Sequence, residues 1–278
     1  MTAQAAAGRT GGLLGRAPVR LERIVRRGVP PLVFFVVVIT AWEAGVFHGL
    51  FNVQAFNLAR PSAIVEALLD QREAIAAQAG VTLYEAFVGY AVGSAIGFSI
   101  AVACVWVEPA RSFLLPLANG ITAMPVIALA PLMILYFGSD KPSKVAVVVI
   151  MTMAPMAVTA FKGMNSVNPT SLELMDSYAA SRFETFRRLR LPASLPFVFQ
   201  ALKLNVTLSL IGAIIAEFFS SQGGLGFYMT FALDRFDAAT AWAIMTVAGA
   251  AGVILYLLVI VIERFAVPWD PSIRAPRR

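Results

Sequence analysis

Six apolar stretches, each about as long as a helix needs to cross a bilayer, dominate this sequence: roughly 31–49, 82–106, 113–137, 143–163, 196–220 and 239–263. None keeps a sustained alternation of apolar and polar residues, so spanning helices are favoured over barrel strands. Composition agrees. Apolar residues make up 59% of the 278 and charged residues 14%, against about a quarter charged in a soluble domain. That excludes an ordinary cytosolic enzyme and a disordered chain. One cysteine excludes an internal disulfide. The expectation is an all-α integral membrane protein with six transmembrane helices. They form one domain over residues 31–265, between tails at 1–30 and 266–278.

Basic residues orient these spans. With the N-terminus inside, the cytoplasmic side holds six Arg in 1–30, Arg111, the five from Lys162 to Arg190, and four after residue 262. The outside holds Arg60, Arg72, Lys141, Lys144 and Arg235. This bias predicts both termini in the cytoplasm. The net charge of +6 is then a matter of topology and not of nucleic-acid binding, for which no basic-aromatic patch is present. A signal peptide is rejected, because the first apolar run continues through Trp42 to Phe51 with no small-residue cleavage site. Residues 1–15 read as a disordered tail.

Outside the spans, Pro61-Ser62 opens an amphipathic run with Ile64, Val65, Leu68, Leu69 and Ile75 on one side. It reads as a helix at the membrane surface or as a plain connector. Glu43, His48 and Glu85 fall near predicted outer ends, where interfacial water would solvate them. Cys104 reads as an inert packing residue.

The spans differ in what they carry. Gly89, Gly93 and Gly97 recur every four residues and open one face of the second span to close helix packing. Pro116, Pro125 and Pro131 interrupt the third. A broken helix belongs beside protein or a watery cavity, so this span is expected at the centre, either lining a pathway or merely kinked. Asn205, Ser209, Gly212 and Ala216 share one face of the fifth span, which marks packing or a pathway. Glu217 ends that face beside a glycine-rich turn. Its carboxylate has two readings: satisfied by the turn's amides, or in contact with a solute. Met124, Pro125, Ala128, Asn205, Ser209 and Glu217 are the candidate pathway residues.

The loop at 164–195 is the longest on the inner side. Thr170-Ser171-Leu172-Glu173 and Ser181-Arg182-Phe183-Glu184 both have capping-box spacing. They predict a helix, a break near Ala179-Ala180, a second helix and then Leu191-Pro192, ahead of the fifth span. The second helix carries Phe183, Phe186 and Leu189 on one side. Such a hairpin is either a solvated loop or a docking knob for a cytoplasmic partner.

At these residues the sequence resembles the permeases of ABC importers. Their EAA loop reads E-A-A, three residues, G, nine residues, I, one residue, L-P. Leu191-Pro192 stands at its end, Leu189 at the Ile, Ala179 at the Gly and Glu173 at the Glu, with Leu174 and Met175 replacing the alanines. If the break needs a left-handed residue, Ala179 costs on the order of 1 kcal/mol. Pro116 through Gly138, Asn165 through Pro169, and Ala216-Glu217 followed by Gly224-Leu225-Gly226 extend the resemblance over about residues 60–265. It is strongest to the nitrate, sulfonate, taurine and bicarbonate branch. Ser177-Tyr178 and the run from Ile211 to Glu217 lean toward permeases for thiamine-pyrimidine precursors.

The resemblance implies a multi-pass subunit of the bacterial inner membrane, moving a small solute inward by alternating access. Its implied partners are a cytoplasmic ATP-binding subunit, an extracytoplasmic substrate-binding protein, a second permease copy and the lipid bilayer. Glu173, Ala179, Arg182, Phe183, Phe186, Arg188, Leu191 and Pro192 would form the ATPase-coupling surface. No G-x-x-x-x-G-K-[ST] loop occurs, so ATP and Mg would sit on the partner and no cofactor or metal is expected here. Rival readings are an ion-gradient-driven secondary transporter, a membrane enzyme and a scaffold. The first would want more buried ionisable residues. The second would want clustered His, Asp, Cys or Glu.

Overall fold

The computed structural model describes residues 18–52, 57–219 and 222–269, with side chains from residue 29 onward. Residues 1–17 and 270–278, most of the two expected tails, lie outside the described residues, as do Ser220 and Ser221. Among the described residues the secondary structure is helical throughout.

The chain divides into two units, 1–63 and 64–278. The first holds α1 (Pro18–Glu43) and α2 (Val46–Phe51), separated by Gly45 at φ +79°. The expected first span is therefore interrupted near its end. The Glu43 carboxylate accepts from Ser62 N–H at 2.9 Å and Ser62 Oγ–H at 2.6 Å. His48 Nε2 lies 2.7 Å from the Leu58 carbonyl. Both polar groups thus have protein partners in place of the expected interfacial water.

α3 (Pro61–Asp70), whose first three residues belong to the first unit, is the helix expected from Pro61-Ser62, but it ends at Gln71, where the second unit's α4 (Arg72–Trp106) begins at once. Ile75 is buried in α4 and does not belong to the surface helix. The third span is two helices, α5 (Glu108–Thr122) and α6 (Val126–Phe137), bent by 106°. The break falls at Ala123-Met124-Pro125, because Pro125 cannot donate to a continuing helix. Then come α7 (Lys141–Met164), α8 (Pro169–Ser177) and α9 (Arg182–Thr185). A five-residue π-helical turn, Phe186–Arg190, leads into α10 (Leu191–Phe218). The chain ends with α11 (Leu225–Asp234) and α12 (Ala238–Ala266).

α7 is the central helix, packed on α4, α5, α6 and α10. Its contact with α4 passes through the three predicted glycines. A Cβ on Gly89 would meet the Val148 side chain, one on Gly93 would meet Thr152 Oγ1, and one on Gly97 would meet the Met153 carbonyl. Any side chain there would push the two backbones apart. Small alanines serve α5 and α6 in the same way: Ala118 packs with Ala154 and Ala157, and Ala130 with Val147 and Ala216. Cys104 is free and buried. Lys203 of α10 forms a 2.9 Å ion pair with Glu263 of α12, so each long polar side chain offsets the other inside an apolar stretch.

Candidate functional site

The hairpin after α7 is built from local signals. Asn168 caps α8, accepting from Thr170 N–H at 3.0 Å, with Pro169 at the first helical position where no amide is needed. This corrects the expected start at Thr170. Asn168-Pro169 supplies both a cap and a preset φ two residues earlier. α8 ends in a left-handed residue, Ala179 at φ +52°. Ala180 N–H donates to Met175 O at 3.0 Å and Ala179 N–H to Asp176 O at 2.9 Å, the paired closure of a Schellman end. The second start is the capping box at Ser181: Glu184 N–H donates to Ser181 Oγ at 3.2 Å, and Ser181 N–H to Glu184 Oε2 at 3.0 Å.

The helix after Ser181 differs from expectation in two ways. It widens into the π turn, where Leu191 N–H reaches Phe186 O, and it runs through Leu191-Pro192 into α10, so the expected loop and fifth span are joined in one helix. Pro192 has no amide to give to the preceding turn, and a widened turn absorbs that gap. Phe186 consequently swings inward, against Trp106 with ring centroids 5.6 Å apart and against the cluster of Ala101, Met156 and Met164. Arg190 donates to Asn165 Oδ1 at 3.0 Å and Met164 O at 3.3 Å. These two side chains fasten the hairpin to the ends of α4 and α7. Glu173, Arg182, Phe183 and Arg188 remain exposed, Phe183 at 60%. Leu191 and Pro192 are half-buried at the start of α10. Between hairpin and helix ends lies a cavity of about 340 Å³, lined by Trp106, Leu172, Asp176, Arg182, Phe186 and Arg190 among others.

The six pathway candidates do not lie together. Met124, Pro125 and Ala128 are exposed at the break between α5 and α6. Asn205 and Ser209 are buried in the chain's own bundle. Asn205 Nδ2 donates to Ser94 Oγ at 3.0 Å and Thr152 O at 2.8 Å, tying α10 to α4 and α7. Ser209 Oγ–H donates to Val206 O at 2.9 Å. α4 and α7 cover this shared polar face of α10, with Asn205 Oδ1 buried and without a donor.

Glu217 is likewise buried. Its Oε2 accepts from Gly226 N–H at 2.7 Å, the reading in which the glycine turn satisfies the carboxylate. Two neighbours escaped sequence reasoning. Glu85, expected at a solvated end, is 0% exposed, and Lys144, counted among the outside charges, is 1% exposed. They pair at 3.4 Å. The available signal was that both fall within apolar stretches and carry opposite charge.

Comparison with known proteins bears on this arrangement. Residues 75–272 match the model of the family described as binding-protein-dependent transport system inner membrane component. The chain is 28% identical over 244 residues to the formylaminopyrimidine transport permease protein ThiX of Halalkalibacterium halodurans, covering 87% of this chain and 96% of that one. It is 24% identical over 240 residues to the putative aliphatic sulfonates transport permease protein SsuC of Bacillus subtilis, covering 85% and 86%. To the taurine transport system permease protein TauC of Escherichia coli it is 26% identical over 186 residues, covering 67% and 65%. Among solved structures, an amino acid ABC transporter chain superposes with a TM-score of 0.58 at 15% identity, covering 72% of this chain and 96% of that one. A bacterial ABC transporter involved in the import of the acidic polysaccharide alginate does so with a TM-score of 0.56 at 16% identity, covering 88% and 98%. These structural likenesses speak to the fold.

Proposed function

The chain belongs to the family of binding-protein-dependent transport system inner membrane components, so it is a transport permease and not an enzyme, and we propose that it moves a small polar solute inward by alternating access. The relatives named above act on a formylaminopyrimidine, on aliphatic sulfonates and on taurine, and a solute of that size and polarity is the proposed cargo. The family implies a cytoplasmic ATPase and a substrate-binding protein as partners. ATP and Mg would be held by the ATPase. The ion-gradient-driven reading is set aside by family membership.

Six crossings are proposed. α4, α7, the continuous helix from Arg182 to Phe218, and α12 are each long and apolar enough, and the bent α5–α6 pair is a fifth. The apolar part of α1, Val29–Glu43, is shorter and would supply the sixth. Both termini and the hairpin would face the cytoplasm. A second copy would complete the pathway along the α5–α6 break, where Met124, Pro125 and Ala128 are exposed.

One observation carries the coupling role. Glu173, Phe183 and Arg188 are exposed on a hairpin that Phe186 and Arg190 fasten to α4 and α7. A rigid knob with an apolar tip and charges of both signs suits a partner's groove, and motion of the ATPases would pass through it to the spans. The test is ATPase activity of the reconstituted importer on addition of loaded binding protein. Glu173→Lys, Arg188→Glu and Phe183→Ala should each lower the stimulated rate at least several-fold and weaken co-purification of the ATPase. Wild-type stimulation in all three would refute the docking role.

A further inference from the structure

At the end of the bundle opposite the hairpin, three ionisable side chains are sealed from solvent. Glu85 of α4 and Glu217 of α10 are 0% exposed and Lys144 of α7 is 1% exposed. Among the described residues no other charged side chain is fully buried. Lys144 Nζ lies 3.4 Å from Glu85 Oε1, and Glu217 Oε2 holds the Gly226 amide. Both oxygens of Glu85 and Oε1 of Glu217 are left without a hydrogen-bond donor, and Thr82, one turn before Glu85 on α4, holds the amide of Leu225 next to the Gly226 amide that Glu217 holds.

One ammonium cannot balance two carboxylates. Net charge sealed in an apolar interior is strongly disfavoured, and like charges confined to one site cannot both ionise. The ammonium already supplies the cation, so the missing species is a proton. Placed on either carboxyl group, it turns an acceptor into a donor, lets one orphaned oxygen donate to another and brings the site to neutrality.

The same site holds the start of α11. Gly224 N–H donates to Gln78 Oε1 at 2.7 Å, Leu225 N–H to Thr82 Oγ1 at 2.8 Å and Gly226 N–H to Glu217 Oε2 at 2.7 Å. Gly224 sits at φ +99°, and a Cβ there would overlap the Glu217 carboxyl group. Three successive amides are therefore clamped by α4 and α10.

We propose that Glu85 and Glu217 jointly bind one proton beside Lys144, and that this proton keeps the start of α11, Gly224 to Gly226, latched. The charged groups around it are few. α4 contributes Glu85, α10 contributes Glu217 and α7 contributes Lys144. Lys141, one turn earlier on α7, is exposed with its Nζ 5.0 Å from the Tyr84 ring centroid. α11 faces the site with backbone amides, and α6 carries no charged residue. Loss of the proton leaves two buried carboxylates against one ammonium and loosens the clamp. The proposal stands on burial and geometry and is independent of which solute is carried.

Infrared difference spectroscopy of the full chain in lipid nanodiscs tests it. The wild type should show a protonated-carboxyl C=O band at neutral pH, and Glu85→Gln and Glu217→Gln should each abolish it, since either leaves one carboxylate for one ammonium. On alkaline titration the wild-type Tm should fall, whereas that of Glu217→Gln, with no shared proton to lose, should hold. No such band in the wild type would overturn the proposal, and the wild-type spectrum decides this even if the variants fail to fold. A band surviving in either variant, or an equal alkaline fall in Glu217→Gln, would overturn it too.

Discussion

Ala179 closes the hairpin's first helix in a backbone conformation that L side chains seldom adopt, at φ +52°. The resemblance to the EAA loop put a glycine's role on this residue, and the backbone bears it out in geometry. Ala179→Gly should relieve about 1 kcal/mol of local strain and slow hydrogen exchange of the amides that close the turn about fivefold. Unchanged exchange would mean that the turn absorbs its strain elsewhere. The Ser181 capping box was legible because all of its partners lie within four residues. Thr170 misled for the converse reason: its spacing is right, but Asn168-Pro169 competes for the same helix start with a better cap. Glu85 and Lys144 were legible only as opposite charges within apolar stretches, not as partners. They are 59 positions apart by number, and nothing local distinguishes a carboxylate at an interface from one sealed against another helix.

The crossing of α4 and α7 shows how far a periodic signal reaches. Glycines every four residues announce a close helix contact, and the structure supplies the partner, down to Thr152, whose hydroxyl donates to Val148 O at 2.8 Å. Gly93→Ala should destabilise by about 1–3 kcal/mol through overpacking, because Val149 O would also stand 2.7 Å from the new Cβ. Gly80 lies on the same helix with nothing within 4 Å of such a Cβ. Gly80→Ala should be neutral or stabilise by up to about 1 kcal/mol through helix propensity. Thermal unfolding of both variants in nanodiscs separates them, and equal Tm values would contradict the packing assignment. The π turn at Phe186–Arg190 has no comparable signature. Pro192 announces a missing amide but not whether the helix stops or widens, and the inward pull of Phe186 onto Trp106 favours widening.

For the molecule as a whole, the unfilled surface is the informative part. α6 leaves Ile127, Leu132, Leu135 and Tyr136 exposed, and the break beside it exposes Met124 at 54%. Lipid can cover an apolar helix, but a bent backbone needs protein or water beside it. The proposed second copy, meeting this one along the break, would satisfy that need. With the single native cysteine buried, Met124→Cys should form an oxidant-induced dimer in membranes, and Leu257→Cys on α12 should not. Cross-linking that is equal for both, or absent from Met124→Cys, would place the subunit contact elsewhere.

The apolar stretches and the glycine and proline spacings settled the membrane class and the helical architecture, because each is a property of consecutive or regularly spaced residues. Which buried polar groups meet was left to packing. Asn205 and Ser209 share a helix face in the sequence, and only the structure shows α4 and α7 covering it. Glu85, Lys144 and Glu217 become one site only where three helices and the α11 turn converge. A polar side chain's role in a bilayer depends on what seals it from lipid and water, and that is a property of neighbours in space.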